Sequence, residues 1–245
     1  MLLRDRLERE GNFLFKYRGL LPILFLLGEC GFLVYSSENT STSLFYQIFY
    51  FSVGLVGLAI RIFVVGYSPA DTSGRNTLEG QKAASLNTTG AYSLVRNPLY
   101  VGNFFLWLSV ALFTQNLLFI LIFSCVYWLY YERIILAEEA FLQTKFNEDY
   151  NQWAIRIPAF IPQFTGYISP TLSFSWKKVV KKEKNGLVAL FALFFLLDCL
   201  QKYRLNPSFQ PIDSPWALPF LISAVLYFFL KYIKRFTNWL EEQGR

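Results

Sequence analysis

Six apolar runs divide this chain, and each is flanked by polar sequence that alternates between strongly basic and almost uncharged. The runs are Leu20 to Tyr35, Leu44 to Tyr67, Tyr100 to Phe113, Leu117 to Tyr131, Leu187 to Leu200 and Trp216 to Ile233. A bilayer-crossing helix needs ~20 apolar residues, so the shorter runs must borrow flanking residues such as Tyr17 and Arg18, whose long side chains can snorkel. Composition agrees: hydrophobic residues make up 54% and charged residues 16%, against about 25% charged in ordinary soluble domains. A secretory signal peptide is the competing reading of the first run. Only Ser36-Ser37-Glu38-Asn39 follows it, with no small-x-small cleavage site, which favours a span.

The charges orient the spans. Arg4, Arg6, Arg9, Lys16 and Arg18 precede the first run, and the loop Ser36 to Ser43 that follows has no basic residue. Arg75, Lys82 and Arg96 follow the second run, and Thr114-Gln115-Asn116 between the third and fourth carries no charge. Lys145, Arg156 and the Lys177 to Lys184 cluster follow the fourth; Lys202 and Arg204 lie on the other side, and Lys231, Lys234, Arg235 and Arg245 close the chain. The expectation is an all-α polytopic membrane protein of about six spans, with both termini in the cytosol and a helical hairpin from the third and fourth. The net charge of +6 then reflects topology, not a nucleic-acid-binding stripe. Glu29, Arg61 and Asp198 are the charges inside apolar runs, and Glu29 could pair with either of the others.

Histidine is absent. That removes Ser-His-Asp and Cys-His catalysis, His-ligated zinc and His proton shuttles together. The three cysteines, Cys30, Cys125 and Cys199, all lie in apolar runs and suggest neither a disulfide framework nor a metal site. If the chain carries chemistry, it lies in the two polar segments that remain between the spans, about Ser68 to Pro98 and Glu132 to Lys184, which hold most of the Glu, Arg and Gly.

In the first segment Gly90 suits a turn with positive φ, and Asn97-Pro98 ends an extended stretch and opens a helix. Backbone N–H groups at that helix start could receive an anion, and Gly102 permits close approach of a cofactor or a neighbouring helix. Tyr92 and Tyr100 could equally be interfacial aromatics. In the second segment Ile134, Ile135, Phe141, Leu142 and Phe146 recur at helical spacing, and Ile157-Pro158 ends the helix. Glu138 and Glu139 near a helix C-terminus are unfavourable unless a cation answers them; Arg133 and Arg96 are available. If the helix continues, the pair is a solvated turn.

Read in order, these stretches resemble the isoprenylcysteine carboxyl methyltransferase and phospholipid methyltransferase family of integral membrane enzymes. The resemblance rests on Thr88/Thr89-Gly90-Ala91-Tyr92, Arg96-Asn97-Pro98-Leu99-Tyr100-Val101-Gly102, Glu138-Glu139, Leu142, Phe146-Asn147, Tyr150 and Pro158. Asn97 stands where the family has His and Asn147 where it has Gly. The resemblance implies S-adenosylmethionine as cofactor, held by Gly90, Tyr92, Asn97, Pro98, Tyr100, Gly102 and Glu138. It implies a lipidic acceptor from the bilayer, with Arg96, Arg133 and Glu139 at the reacting groups and Trp153 and Arg156 towards the acceptor. The core would span 69–165, between a two-span region 1–68 and a region 166–245 holding a basic linker and two spans.

An amine acceptor needs deprotonation, whereas an anionic oxygen needs only positioning by cations. The absence of histidine therefore leans the acceptor towards a phosphate or carboxylate. In overall character the chain also resembles bacterial lipid A phosphate methyltransferases, implying an inner-membrane location. Isoprenylcysteine carboxyl O-methylation and phosphatidylethanolamine N-methylation are the alternatives. Sterol-type membrane reductases share the hairpin but use a nicotinamide cofactor, and a membrane scaffold or transporter is the non-enzyme alternative.

Overall fold

In the computed structural model, residues 3–35, 43–70, 72, 75–77 and 80–242 are described. The loop 36–42, which carries no basic residue, and Arg245 lie outside them. The described residues form seven helices: α1 (Leu3–Lys16), α2 (Leu20–Tyr35), α3 (Leu44–Tyr67), α4 (Pro98–Ala111), α5 (Leu117–Ala154), α6 (Trp176–Leu205) and α7 (Ala217–Phe236). One small departure from all-α is an antiparallel hairpin of β1 (Arg75–Thr77) and β2 (Gly80–Lys82). Helices α3, α5, α6 and α7 are long and apolar enough to cross a membrane, while α2 and α4 are apolar but shorter.

The hairpin of α4 and α5 forms where the sequence predicts it. Pro98 occupies the first turn of α4, where its missing N–H has no partner to lose. A 3-10 turn at Leu112–Thr114 and left-handed Gln115 (φ 52°) reverse the chain, and the Asn116 side chain accepts from Phe119 N to cap α5. Up to its kink at Asn147, α5 is about 45 Å long at the α-helical rise, about one and a half times the ~30 Å apolar core of a bilayer. The fourth apolar run and the Glu138–Glu139 segment are thus one helix rather than two.

Small residues bring α3 and α4 together at backbone distance, as at membrane helix interfaces generally. A Cβ on Gly57 would meet Gly102 O at 2.5 Å and Leu106 N at 2.7 Å, and one on Gly54 would meet Ser109 Oγ at 2.7 Å. Gly102 faces Gly57 O and the Arg61 stem. Of the two uses expected for it, the structure shows close approach of a neighbouring helix.

The charges inside the apolar runs also find partners other than those expected. Arg61 forms a two-pronged pair with Glu183 of α6 (2.8 and 2.9 Å) and donates to Asn103 Oδ1. Asp198 accepts from Gln47 (2.6 Å) and Ser214 (2.7 Å) and pairs with Lys202 (3.0 Å), while Trp216 Nε1 donates to Gln47. Glu29 is buried in α2 and pairs with neither. The last two apolar helices are therefore fastened to α3 by satisfied polar networks, the arrangement a low-dielectric interior requires.

Because backbone atoms close the space beside Gly57, we expect Gly57→Ala to cost about 1–3 kcal/mol by overpacking. Gly28→Ala, where nothing lies within 4 Å, should leave stability unchanged or raise it. Thermal unfolding of the two variants in detergent checks this.

Candidate active site

The loop before α4 and the extended stretch after α5 are joined by main-chain bonds. Gly90, at φ +61° as its place in the turn requires, donates to Ile168 O at 2.8 Å. Arg96 N donates to Pro158 O (2.9 Å), and Gln163 N to Leu94 O (3.0 Å). Side chains tighten the seam: Arg96 Nη1 donates to Ala154 O (2.8 Å), Asn97 Nδ2 to Ala159 O (2.9 Å) and Trp153 Nε1 to Tyr92 O (3.2 Å). Ser93 Oγ donates to Gly90 O and accepts from Ile168 N. The two polar stretches become one unit.

That unit walls a cavity of about 380 Å³ whose lining includes Arg18, Arg61, Tyr92, Arg96, Tyr100 and Glu138. Small-molecule sites usually measure ~300–1,000 Å³ and place a few polar groups among apolar walls. Tyr100 hydroxyl donates to Glu138 Oε2 at 2.9 Å, and Tyr127 hydroxyl donates to Tyr100 O at 2.8 Å. The Tyr100 and Tyr131 rings meet at 4.7 Å. Arg96 Nη2 pairs with Glu139 Oε1 at 2.9 Å. Its Nε, also buried, has no hydrogen-bond partner within the described residues.

The carboxylates of the acidic pair diverge, since successive helical residues point roughly 100° apart. Glu138 faces the first cavity; Glu139 lies at a second, mostly apolar cavity of about 210 Å³ that includes Trp128, Ile135 and Phe160. Neither is the solvated turn considered from sequence. Burial, reinforced by the charge of Glu138, pushes the Tyr92 hydroxyl above its ordinary range, against a hydrogen bond from Asn87. Tyr92 therefore stays a neutral hydroxyl at physiological pH.

Of the residues expected at the site, Tyr92, Arg96, Asn97, Pro98, Tyr100 and Glu138 line the larger cavity. Gly90 shapes the adjoining turn and borders a third, polar cavity. Three others lie apart from both main cavities. Arg133 Nε faces Glu10 of α1 at 3.4 Å and its Nη1 donates to Leu129 O; with Arg6, it holds the Glu10 carboxyl below the usual range. Arg156 is exposed and donates to Gln152 O. Trp153 is buried, tying α5 to the Tyr92 turn. Here Arg133, Arg156 and Trp153, expected at the reacting groups and towards the acceptor, serve helix docking, local capping and loop packing. Arg18, Arg61 and Asn103 line the cavity but were not picked out as site residues. The signal of the two arginines was a charge at the edge of an apolar run, read as snorkelling or interruption.

Asn147 has φ 47° and ψ −115° and marks a kink inside α5. A side chain rarely adopts this conformation and glycine adopts it freely, which explains why the resembled family has glycine at the corresponding position.

Residues 49–149, from α3 to the kink of α5, match the family described as phospholipid methyltransferase. A protein-S-isoprenylcysteine O-methyltransferase of Schizosaccharomyces pombe is 40% identical over 78 residues, 31% of this chain and 33% of that protein. The nickel-cobalt-cadmium resistance protein NccN of Alcaligenes xylosoxydans xylosoxydans is 34% identical over 88 residues, 36% of this chain and 41% of NccN. The cobalt-zinc-cadmium resistance protein CzcN of Cupriavidus metallidurans is 36% identical over 90 residues, 37% and 41% of the two chains. The chain thus spans 33% to 41% of the length of these curated relatives. No solved structure matches it significantly. Among the described residues, no three His, Cys, Asp or Glu side chains gather as a metal site would require.

Fold and cavity define a helical membrane protein with a pocket at one end of its central hairpin. Its segment 49–149 is similar to phospholipid methyltransferases and to an isoprenylcysteine O-methyltransferase.

We expect Asn147→Gly to preserve or raise stability and Asn147→Val to lower it by about 1–2 kcal/mol, the usual cost of a left-handed backbone for a residue with Cβ. Paired melting curves in detergent measure the difference.

Proposed function

We propose that this protein transfers a methyl group from S-adenosylmethionine to an anionic oxygen of a membrane lipid headgroup, with a lipid A phosphate as first candidate. The observation that carries the reading is the juxtaposition, across Glu138 and Glu139, of a cavity holding arginine, tyrosine and carboxylate groups with a second, mostly apolar one, both built largely from the segment that matches methyltransferases. One chamber suits a charged, water-soluble cofactor and the other an acyl or prenyl chain.

The residues present fit S-adenosylmethionine. Its amino-acid end carries both a carboxylate and an ammonium, and the buried unpartnered Nε of Arg96 is a donor suited to the first. Glu138, already accepting from Tyr100, suits the ammonium or the ribose hydroxyls. Asn97 spends an amide hydrogen on Ala159 O and keeps its oxygen as an acceptor. The bound cofactor would supply an electrophilic methyl group on a positively charged sulfur.

The protein's own part is to bind, orient and exclude water. Glu139 fixes the Arg96 guanidinium while the Ala154 carbonyl holds it from the other side. A phosphate or carboxylate oxygen arrives already anionic, so a chain without histidine loses nothing by lacking an imidazole base. Cations near the cavity would align it with the methyl group, and alignment is worth several kcal/mol of barrier in well-oriented reactions. The S. pombe relative is named for an isoprenylcysteine, whose carboxylate has the same acceptor chemistry. We place the site and both termini on the cytosolic face of a bacterial inner membrane, with α2 and α4 completing six spans, because the basic segments lie on that side.

The purified protein, given methyl-labelled S-adenosylmethionine, should label lipid A on phosphate. Label only on phosphatidylethanolamine or a prenylcysteine would reassign the acceptor; no label and no cofactor binding would refute the reading. Glu138→Gln should weaken cofactor binding roughly tenfold or more, as loss of a charge-assisted bond predicts. Arg96→Ala should nearly abolish transfer, whereas Arg133→Ala should cost much less because it faces Glu10. Titration calorimetry and initial rates separate the three.

A further inference from the structure

Helices α6 and α7 form an antiparallel pair, joined by the short connection 206–216, and pack along each other. The Phe195 and Phe220 rings stack between them at 5.3 Å. The same eleven-residue step, back along α6 and forward along α7, leads to Lys184 and Lys231. Lys181 and Lys234 lie one turn further on their own helices. Four ammonium groups thus gather at the end of the pair where α7 stops at Phe236. The charges of Lys234, Lys181 and Lys231 all bear on Lys184.

No acidic group answers the cluster. Among the described residues, no carboxylate lies within ion-pair distance of any of the four lysines. Glu183 faces α3 and is held by Arg61, Glu242 accepts from Ser175 Oγ, and Glu241 is exposed beyond the end of α7. Lys184 is nonetheless only 9% exposed, although a lysine is almost never buried unless paired. Its Nζ donates to Lys181 O at 2.7 Å, which occupies one of three N–H groups. Orienting a span requires only that lysines lie on the correct side of the membrane. It does not account for burying one lysine among three others, where like charges a turn apart repel.

We propose that Lys181, Lys184, Lys231 and Lys234 bind the phosphate of an anionic phospholipid from the surrounding leaflet. None of the four lines the cavities described above, so the inference stands without the methyltransferase reading. An amphiphile fits better than a free anion, because apolar surface adjoins the charges. Ser223 is the one buried residue of α7, which exposes Leu221, Val225, Leu226, Phe228 and Phe229 below its lysines. Acyl chains can lie on that face. Tyr232, Phe236 and Trp239 are exposed beside the lysines, as aromatic residues at headgroup level are. Basic pockets between membrane helices are recurrent headgroup sites.

The test titrates phosphatidylglycerol into the full chain in detergent and counts bound lipid by native mass spectrometry, with phosphatidylcholine and glycerol phosphate as comparison probes. The variant Lys231→Gln/Lys234→Gln removes two exposed lysines, and its melting temperature without lipid should not fall, since repulsion is relieved. Its Kd for phosphatidylglycerol should rise roughly tenfold or more, the loss of two ammonium contacts with an anionic headgroup. Lys145→Gln/Lys177→Gln, which removes the same charge from exposed positions elsewhere, should change that Kd less than about twofold. Equal losses in the two double variants would reduce the effect to overall surface charge and overturn the proposal. Unchanged binding in both, or equal binding of phosphatidylcholine, would overturn it too. Displacement of the lipid by an equal concentration of glycerol phosphate would make this a site for soluble anions and refute the assignment to a phospholipid.

Discussion

The seam between the loop 90–97 and the stretch 154–168 is the contact on which the rest of the site depends. Its partners are far apart in sequence and, beyond one short 3-10 turn at Gly90–Ser93, neither is a regular element, so neither could hold a fixed shape alone. Main-chain groups in such loops must find partners once water is excluded. Here they find each other: Gly90 with Ile168, Leu94 with Gln163, Arg96 with Pro158. The prolines at 158 and 162 help by stopping α5 and extending the chain, which turns its carbonyls towards the loop. Only then does Arg96 lie between Ala154 and Glu139, and only then does the cavity beneath have a roof.

A second constraint acts through the membrane helices. An arginine inside an apolar run is expensive unless its charge is answered. Arg61 is answered by Glu183 of α6, at the level of the cavity that Arg61 also lines. Farther along, Gln47, Asp198, Ser214 and Trp216 lock α3, α6 and the start of α7. These interactions give the C-terminal helices a physical purpose that the family match over 49–149 does not cover. They brace the helix whose glycines receive α4, and α4 in turn presents Tyr100 to Glu138.

Much of this was legible in the sequence, and the rest was not for identifiable reasons. Apolar runs locate helices because burial in lipid leaves the backbone few alternatives, and all six runs are helical. Turn chemistry was equally readable: Gly90 has its positive φ, and Pro98 starts α4. What failed was partner choice. Arg133 precedes the acidic pair closely enough to suggest a shared site, but it projects from α5 towards α1 and meets Glu10. Gly102 could have served a ligand or a helix, and only the position of Gly57 decides. Arg18 and Arg61 carried the weakest signal, because a basic residue beside a span has a sufficient explanation in topology alone.

The position of Asn97 sharpens the chemical argument. Its amide donates to Ala159 O, so this side chain belongs to the seam as much as to the cavity. A neutral histidine can make the same bond through one ring nitrogen and still present the other. An asparagine makes it without any capacity to take up a proton. A chain that keeps the seam but gives up the proton carrier retains the geometry of the site and narrows its chemistry. For the methyl transfer proposed above, acceptors that must shed a proton are disadvantaged, while those already ionised are not. An anionic headgroup meets that condition, and the arginines around the cavity supply charge of the sign such a headgroup requires.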